Sequence, residues 1–189
     1  VYKDTYGVCE LDGAGRLKIA STDTGGYASP GWSKVWSKKT LPDNVMIEFE
    51  WEMGVQWEWY PSFYAWINGQ GISTTDNRLP STAYLAKLYS SAQYPNAAYM
   101  SAAIERKDGS NVNTWTYDIT NTRHIWIRLA NYNKIIKLWV SYDDTDWILV
   151  ISQTASNDLS AGVVGLWGGA NGDRQNDNRI NYTHVSKYV

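Results

Sequence analysis

Strict alternation of apolar and polar residues is the feature that most restricts what this chain can fold into. It is clearest over Val45–Met53, where apolar residues occupy every odd position and glutamates occupy the even positions from 48 to 52. Successive side chains of a β-strand point to opposite faces, so this period of two predicts a strand with one buried face. Two further strands, at Ile125–Leu129 and Lys134–Tyr142, flank a turn at Asn131–Asn133 and predict a hairpin.

Shorter apolar or alternating runs fill most of the remaining chain, and residues typical of turns separate them. Thr82–Gln93 fits either a short amphipathic helix or a strand, and its pattern favours the strand. Without a repeat, a linker or a low-complexity tract, residues 1–189 are predicted to form a single domain. This series of short strands predicts an all-β fold, either a sandwich or a barrel. The other predicted strands are Leu17–Ala20, Trp32–Ser37, Ser62–Asn68, Ala98–Arg106, Trp115–Ile119, Trp147–Ile151, Gly162–Trp167 and Ile180–Val189.

Charge and cysteine content argue against several functional classes. The 17 Lys and Arg residues nearly balance the 19 Asp and Glu residues, and no basic run marks a nucleic-acid interface. Apolar stretches are far shorter than a bilayer requires, so membrane insertion is not expected. Cys9 is the only cysteine, which rules out an intrachain disulfide, and His124 and His184 lack the spacing of a zinc protease. The abundance of Gly, Asn, Ser and Thr is typical of an extracellular or cell-surface domain.

A hairpin motif and both ends of the chain carry a family resemblance. In Lys137–Trp147 a strand runs into Ser-x-Asp-x-x-x-Trp, with Asp144 at the position after the first Asp of the turn. Together with the turn at Asp12–Leu17 and the closing runs Gly162–Gly168 and Ile180–Val189, it resembles the concanavalin A-like, or laminin-G-like, domains, in which that position is often Gly. The resemblance implies a jelly roll of two antiparallel sheets, as a module of a larger prokaryotic surface or secreted protein. That family includes lectins, carbohydrate-binding modules, glycosidases, lyases and adhesive spacers, so its fold alone does not fix a function.

The aromatic residues are skewed toward the two types that carry a polar atom. The chain has 11 Trp and 14 Tyr against 2 Phe, and the densest cluster lies within residues 57–66. Such rings stack on the C–H faces of sugars, while neighbouring amides, carboxylates and guanidinium groups hydrogen-bond the hydroxyls. The sequence therefore predicts non-catalytic, lectin-like glycan binding, with packing of the same rings at the ends of the core as the alternative. The predicted ligand-binding residues are Trp57, Trp59, Tyr60, Tyr64, Trp66, Asn68, Asp76 and Arg78.

Glu48, Glu50 and Glu52 provide an alternative, enzymatic hypothesis. Retaining glycosidases of the resembled fold carry a similar Glu-x-Asp-x-Glu stretch, although the central residue here is Glu50. Residues two apart on a strand lie about 6.6–7 Å apart at Cα, which is compatible with the roughly 5–5.5 Å between the carboxyl groups of a retaining pair. The other interpretation is a solvated strand face, and the sequence favours it over a glycoside hydrolase.

Two further hypotheses concern metals and assembly. The oxygen-rich segment 171–178 predicts a Ca²⁺ site with Asp173, Asn176 and Asp177 as candidate ligands, or else an ordinary polar turn. As an alternative to glycan binding, the aromatics could pack against neighbouring modules in a structural or adhesive surface assembly or filament.

Overall fold

Two antiparallel β-sheets, packed face to face, make up the computed structural model of this chain. It describes residues 1–3, 7–21, 31–53, 62–76, 78–90, 100–108, 111–119, 124–155, 159–170 and 177–188. These residues contain strands and turns, and none of them is helical. Accordingly, no helix long and apolar enough to span a membrane occurs in this described part of the chain.

Each sheet has seven strands. The first, sheet A, runs across the molecule in the order β1 (Tyr2–Lys3), β4 (Gly31–Trp36), β13 (Val163–Ala170), β6 (Ser62–Gln70), β7 (Thr82–Ser90), β8 (Met100–Asp108) and β9 (Asn111–Ile119). The second, sheet B, has the order β12 (Ile148–Thr154), β11 (Ile135–Ser141), β10 (His124–Tyr132), β5 (Val45–Met53), β14 (Asp177–Lys187), β3 (Leu17–Ser21) and β2 (Gly7–Leu11).

The alternation over Val45–Met53 is confirmed, and it places β5 in the middle of sheet B. Its inward residues from 45 to 51 are fully buried, with Phe49 at 0% and Trp51 at 1% exposure, and both rings contact Phe63 of sheet A. Burying each such side chain stabilises the fold by about 1.5–3 kcal/mol. The Trp51 indole nitrogen donates a hydrogen bond of 2.9 Å to Asn178 Oδ1, which satisfies its polar atom within the core. Between the sheets the core also contains Ile19, Ile47, Ala65, Ile67, Tyr84, Leu88, Ile104, Ile125, Ile127, Leu129, Leu138, Val140 and Leu166.

Two turns contain residues other than glycine that adopt positive φ. The predicted hairpin is formed by β10 and β11, and its turn is Asn133-Lys134, one residue later than expected. Both residues have positive φ, 47° and 72°, as a two-residue type I′ turn requires. Asp144 has φ 65°, so it adopts the left-handed conformation that glycine provides at that position in the resembled hairpin. Aspartate tolerates this conformation better than most residues.

Candidate functional site

Strand register gathers aromatic residues from distant parts of the chain on the outer face of sheet A. In one row across the sheet, Trp167 of β13 pairs with Lys34 of β4 on one side and with Tyr64 of β6 on the other. Because side chains alternate along a strand, Trp32 and Trp36 share the outer face with Lys34. We call Trp32, Trp36, Tyr64 and Trp167 the aromatic platform.

Three of the platform rings, Trp32, Tyr64 and Trp167, are in direct contact. Trp32 stacks on Trp167 with 4.4 Å between ring centroids and 23° between planes, and Tyr64 meets Trp167 edge-on at 5.1 Å. These two neighbours leave Trp167 only 8% exposed, whereas Trp32 and Tyr64 are half-buried. Lys87 places its ammonium 5.4 Å from the Tyr64 ring centroid. The platform rings that keep part of their surface exposed are therefore Trp32, Trp36 and Tyr64, while Trp167 is nearly covered.

A buried lysine ties a loop to this face. The side chain of Lys34 is fully buried, and its ammonium donates a 2.7 Å hydrogen bond to the carbonyl of Arg78. The same ammonium lies 5.3 Å from the Tyr2 ring centroid and 5.9 Å from that of Trp36. Burying a charge is costly without such partners, so these contacts fix where the loop carrying Arg78 crosses the sheet.

The loop between β6 and β7 covers part of the platform's apolar edge. Ile72 and Leu79 pack against a second apolar cluster that includes Trp66 and Trp167. Asp76 accepts a hydrogen bond from the backbone N–H of Arg78, which is the main reason that the pKa of Asp76 is lowered. The Arg78 side chain is 82% exposed. The predicted rim residues Asp76 and Arg78 thus lie in a loop anchored beside the platform, as polar groups open to solvent.

Trp66 was predicted to stack on a ligand, and its position contradicts this. It is fully buried in the second cluster, so it presents no ring face to a sugar. The indole fits there because two glycines lie against it, Gly69 on the same strand and Gly165 at the paired position of β13. A Cβ on Gly69 would lie 2.6 Å from the indole, and a Cβ on Gly165 only 2.2 Å from it. Its indole nitrogen is buried and has no hydrogen-bond partner among the described residues. Trp66 thus packs beside the platform on the outer face of sheet A, in the cluster against which Ile72 and Leu79 pack.

Asn68 is also structural in this fold. It is 1% exposed, with φ 54°, and its amide donates to the carbonyl of Asp43 at 3.0 Å. It accepts a hydrogen bond from the amide of Asn131 at 3.3 Å. These contacts join the end of β6 to sheet B. The prediction that Asn68 binds ligand is wrong, because its side chain is inaccessible.

The remaining predicted stacking residues, Trp57, Trp59 and Tyr60, lie outside the described residues and stay predictions. Of the cluster 57–66, the structure therefore assigns only Tyr64 to the platform. Trp32, Trp36 and Trp167 were missed, because a sequence does not show which strands become neighbours. One sequence signal could have identified two of them as surface residues: the pattern Trp32-x-Lys34-x-Trp36 puts three large side chains on one face of a strand.

Comparisons with known proteins bear on the fold. No known family model and no curated protein sequence matches the chain. Among solved structures, the legume lectin-like domain from Entamoeba histolytica superposes with a TM-score of 0.70 at 10% identity, covering 99% of this chain and 90% of that one. The exoplasmic/lumenal domain of VIP36, bound to Ca²⁺ and Man2, gives 0.71 at 9% identity, with 99% and 81% coverage. The carbohydrate-binding module CBM66 from Bacillus subtilis gives 0.64 at 13% identity, with 95% and 91% coverage.

The fold is a two-sheet antiparallel sandwich of the concanavalin A-like type. At these identities the likeness establishes the architecture alone. In this fold the aromatic platform lies on the outer face of sheet A, whereas the glutamates of β5 lie on the outer face of sheet B.

Each glutamate of β5 is held by a basic residue of a neighbouring element. Glu48 pairs with Arg128, Glu50 with His124, and Glu52 with Arg16 at 2.6 Å. The Arg128 guanidinium also lies on the Trp147 ring, 3.5 Å from its centroid. The tryptophan of the resembled hairpin therefore makes a cation–π contact with the arginine that pairs with Glu48. Glu50 further accepts a 2.6 Å hydrogen bond from Asn181. The three glutamates thus make the contacts expected of a solvated strand face with cross-strand ion pairs and hydrogen bonds.

Calcium has no binding set in the described part of the chain. Of the predicted ligands, Asp173 and Asn176 lie outside the described residues, and only the backbone of Asp177, at the start of β14, is described. Ca²⁺ takes six to eight oxygen ligands, and no cluster of three or more His, Cys, Asp or Glu side chains occurs among the residues that the structure describes. The described residues thus do not fit the ion, and none of the chemistry proposed below depends on it.

Proposed function

We propose that this chain is a non-catalytic glycan-binding module that acts outside the cell or at its surface. The observation that carries the proposal is the aromatic platform, in which Trp32 and Tyr64 keep accessible ring surface on the outer face of sheet A. A pyranose ring stacked on either one would bury apolar C–H groups against an apolar ring while its hydroxyls stay at the edge. The lectin-like sandwich is consistent with this role and does not by itself establish it.

Polar groups beside the platform suit the hydroxyl rim of a sugar. Asp76 accepts hydrogen bonds, and its lowered pKa keeps it ionised under ordinary conditions. Arg78 contributes N–H donors from an exposed side chain whose backbone carbonyl is held by Lys34 and whose Nε lies 3.5 Å from Asp76 Oδ2. Acceptors and donors on one anchored loop would set which hydroxyl pattern is accepted, while the rings supply most of the affinity.

The experiment is a broad glycan array followed by calorimetric titration of the best ligand. We expect Trp32→Ala and Tyr64→Ala each to weaken binding at least tenfold, because each removes one stacking surface. Trp139→Ala is the matched control, since Trp139 is a half-buried tryptophan on the outer face of sheet B, where it contacts Tyr188. That variant should bind like the unmutated protein.

Two results would sink the proposal. One is an array without a single reproducible glycan. The other is a glycan whose affinity is unchanged in both platform variants, which would move binding to another surface, such as the residues around Trp57 and Trp59.

Calcium and assembly are tested with the same samples. If the segment 171–178 holds Ca²⁺, chelation should lower the melting temperature and added Ca²⁺ should restore it; an unchanged temperature would remove the metal from the proposal. If the platform instead packs against neighbouring modules, the purified chain should self-associate with rising concentration, and Trp32→Ala should abolish that association.

A further inference from the structure

Strand β14 carries a modification motif that the proposed function does not use. Asn181-Tyr182-Thr183 is the only Asn-x-Ser/Thr sequence in the 189 residues of the chain. Where x is not proline, this is the acceptor sequence for N-linked glycosylation, and the glycan of such a site lies at the protein surface. The motif is therefore informative if the folded chain leaves the asparagine exposed, with a polar surface beside it.

A β-bulge brings Asn181 to the surface. In the pairing of β14 with β5, Ile180 lies opposite Trp51 and Tyr182 lies opposite Glu50, so the register places no residue of β5 opposite Asn181. Such an inserted residue is left out of the ladder, and its side chain is re-aimed. Ile180 consequently stays in the core at 3% exposure, whereas Asn181, the next residue, is exposed.

The Asn181 amide lies on the outer face of sheet B. Its Nδ2 donates a 2.6 Å hydrogen bond to Oε2 of Glu50, one of the outward glutamates of β5. A primary amide has two N–H donors, and N-glycosylation replaces one of them. The other N–H remains available to Glu50, so a sugar on Nδ2 is compatible with the hydrogen bond that the folded chain already makes.

Thr183, the second residue that defines the motif, is exposed as well. Both groups that a transferase recognises, the amide of Asn181 and the hydroxyl of Thr183, are thus at the surface of the folded chain. A glycan attached while the chain is exported would stay outside the core once the sheets have formed.

We propose that Asn181 is an N-glycosylation site. The donor is an oligosaccharide carried on a polyprenyl pyrophosphate, and the transferase belongs to the export pathway. Asn181 Nδ2 attacks C1 of the first sugar, the bond from C1 to the pyrophosphate oxygen breaks, and Nδ2 loses one proton as the lipid pyrophosphate leaves. No oxidant or reductant is needed. The proposal rests on the location outside the cell that forms part of the proposed function, and not on glycan binding by the aromatic platform.

The attached glycan would project from the outer face of sheet B. Trp32 and Tyr64 belong to the other sheet, so the modification leaves the aromatic platform free. Because Asn181 is exposed and lies outside the ladder, the modified chain should also fold as the unmodified chain does.

The test compares the whole chain made in the bacterial cytosol with the chain directed into the secretory pathway of cultured animal cells. The glycan is sought on chain recovered from the medium and on chain retained in the cells, so that poor secretion does not hide it. We expect the intact mass to rise by that of an oligosaccharide. Peptide-N-glycosidase in heavy-oxygen water should then convert Asn181 to a labelled Asp, which peptide mass spectrometry locates.

Variants of the motif assign the modification. Asn181→Gln and Thr183→Ala should each abolish the mass increase, whereas Thr183→Ser keeps the hydroxyl and should keep the glycan. Ser186→Ala is the matched control, because it removes a hydroxyl from the same strand outside the motif, and it should be modified like the unmutated chain. The melting temperature of the glycosylated chain should be at least that of the bacterial chain.

Three outcomes would overturn the proposal: Asn181 is unmodified in both fractions, the mass increase persists in Asn181→Gln, or the glycosylated chain melts at a lower temperature than the bacterial one. Failure of the proposed function is detected separately. The bacterial chain carries no sugar at Asn181, and its binding to the glycan array depends on the aromatic platform alone.

Discussion

Replacement of Gly165 by alanine tests whether the fully buried Trp66 lies against the backbone of β13. A Cβ at this position would lie 2.2 Å from Cζ2 and 2.6 Å from Cε2 of the Trp66 indole, and 2.5 Å from the carbonyl oxygen of Val35. Ordinary carbon contacts lie near 3.5–4.0 Å. The methyl group therefore requires the ring, the strand pair β4–β13, or both to move by more than 1 Å, roughly, from where they now pack.

The expected loss of stability depends on how far the atoms around Gly165 can move to make room for the methyl group. Overpacking a core usually costs about 1–3 kcal/mol. Here the upper half of that range applies, because Trp66 has no exposed surface into which it can move and the third close atom belongs to the backbone. Replacing glycine in a strand by alanine recovers about 0.5–1 kcal/mol of chain entropy. The net loss should be about 2 kcal/mol, which in a chain of 150–250 residues lowers the melting temperature by about 4–8 °C.

Urea unfolding at 25 °C, followed by tryptophan fluorescence, measures the free energy of unfolding of each variant. Gly13→Ala is the control, because no atom lies within 4 Å of the Cβ it would carry. That substitution should change stability by less than about 0.5 kcal/mol. Equal stability of Gly165→Ala and Gly13→Ala would refute the close packing of Trp66 on β13.

A double-mutant cycle identifies the clash itself. Trp66→Phe removes the indole atoms closest to the new methyl, so the cost of Gly165→Ala should fall by at least about 1 kcal/mol in that background. If the two substitutions add without coupling, the destabilisation of Gly165→Ala comes from Val35 and the backbone, and Trp66 is not the residue that glycine accommodates.

The other predictions concern a buried hydrogen bond and a surface turn. Asn178→Leu should destabilise the fold by about 1–3 kcal/mol, since it leaves the buried indole N–H of Trp51 unpaired; urea unfolding with a stability loss under about 0.5 kcal/mol would contradict this. Hydrogen bonds, chiefly from the backbone N–H groups of Asp146 and Thr145, lower the pKa of Asp143 to about 2 from 3.8. Its carboxylate therefore stabilises the folded state fully above the unfolded pKa near 3.8 and less as pH falls toward 2. The stability difference between the unmutated chain and Asp143→Ala should shrink over that pH range in urea unfolding, and a constant difference would exclude the mechanism.

The sequence predicted the elements of the fold well because each depends on local information. The alternation of Val45–Met53 is a property of one strand, and the turn beside Asn133 is a property of two or three residues. The resemblance of Lys137–Trp147 to a known hairpin added the architecture, which the solved lectin-like structures support. Even the departure at Asp144 is explained locally, since its φ of 65° is one that aspartate tolerates.

The site was predicted less well because it is a property of strand pairing. Tyr64 and Trp66 are two residues apart and share a face, yet one is half-buried and the other fully buried. The difference arises from the loop after β6, whose Ile72 packs against the cluster, and from Gly165 on the neighbouring strand, which makes room for one indole. Composition correctly identified an unusual number of tryptophans, but only the order of strands decides which of them reach the surface.

The two outer faces of the sandwich therefore differ: sheet B carries the glutamates of β5, and sheet A carries the aromatic platform. On sheet B each glutamate of β5 contacts an arginine or a histidine, as Glu48 contacts Arg128, and the Arg128 guanidinium also covers the ring of Trp147. On sheet A, Trp32 and Tyr64 flank Trp167 and remain half-buried, and the Lys87 ammonium lies 5.4 Å from the Tyr64 ring centroid, against 3.5 Å for Arg128 over Trp147. Because a stacked guanidinium occupies the face that a sugar would use, Trp147 beside the acidic strand is a poorer stacking surface for a ligand than Trp32 or Tyr64 on sheet A.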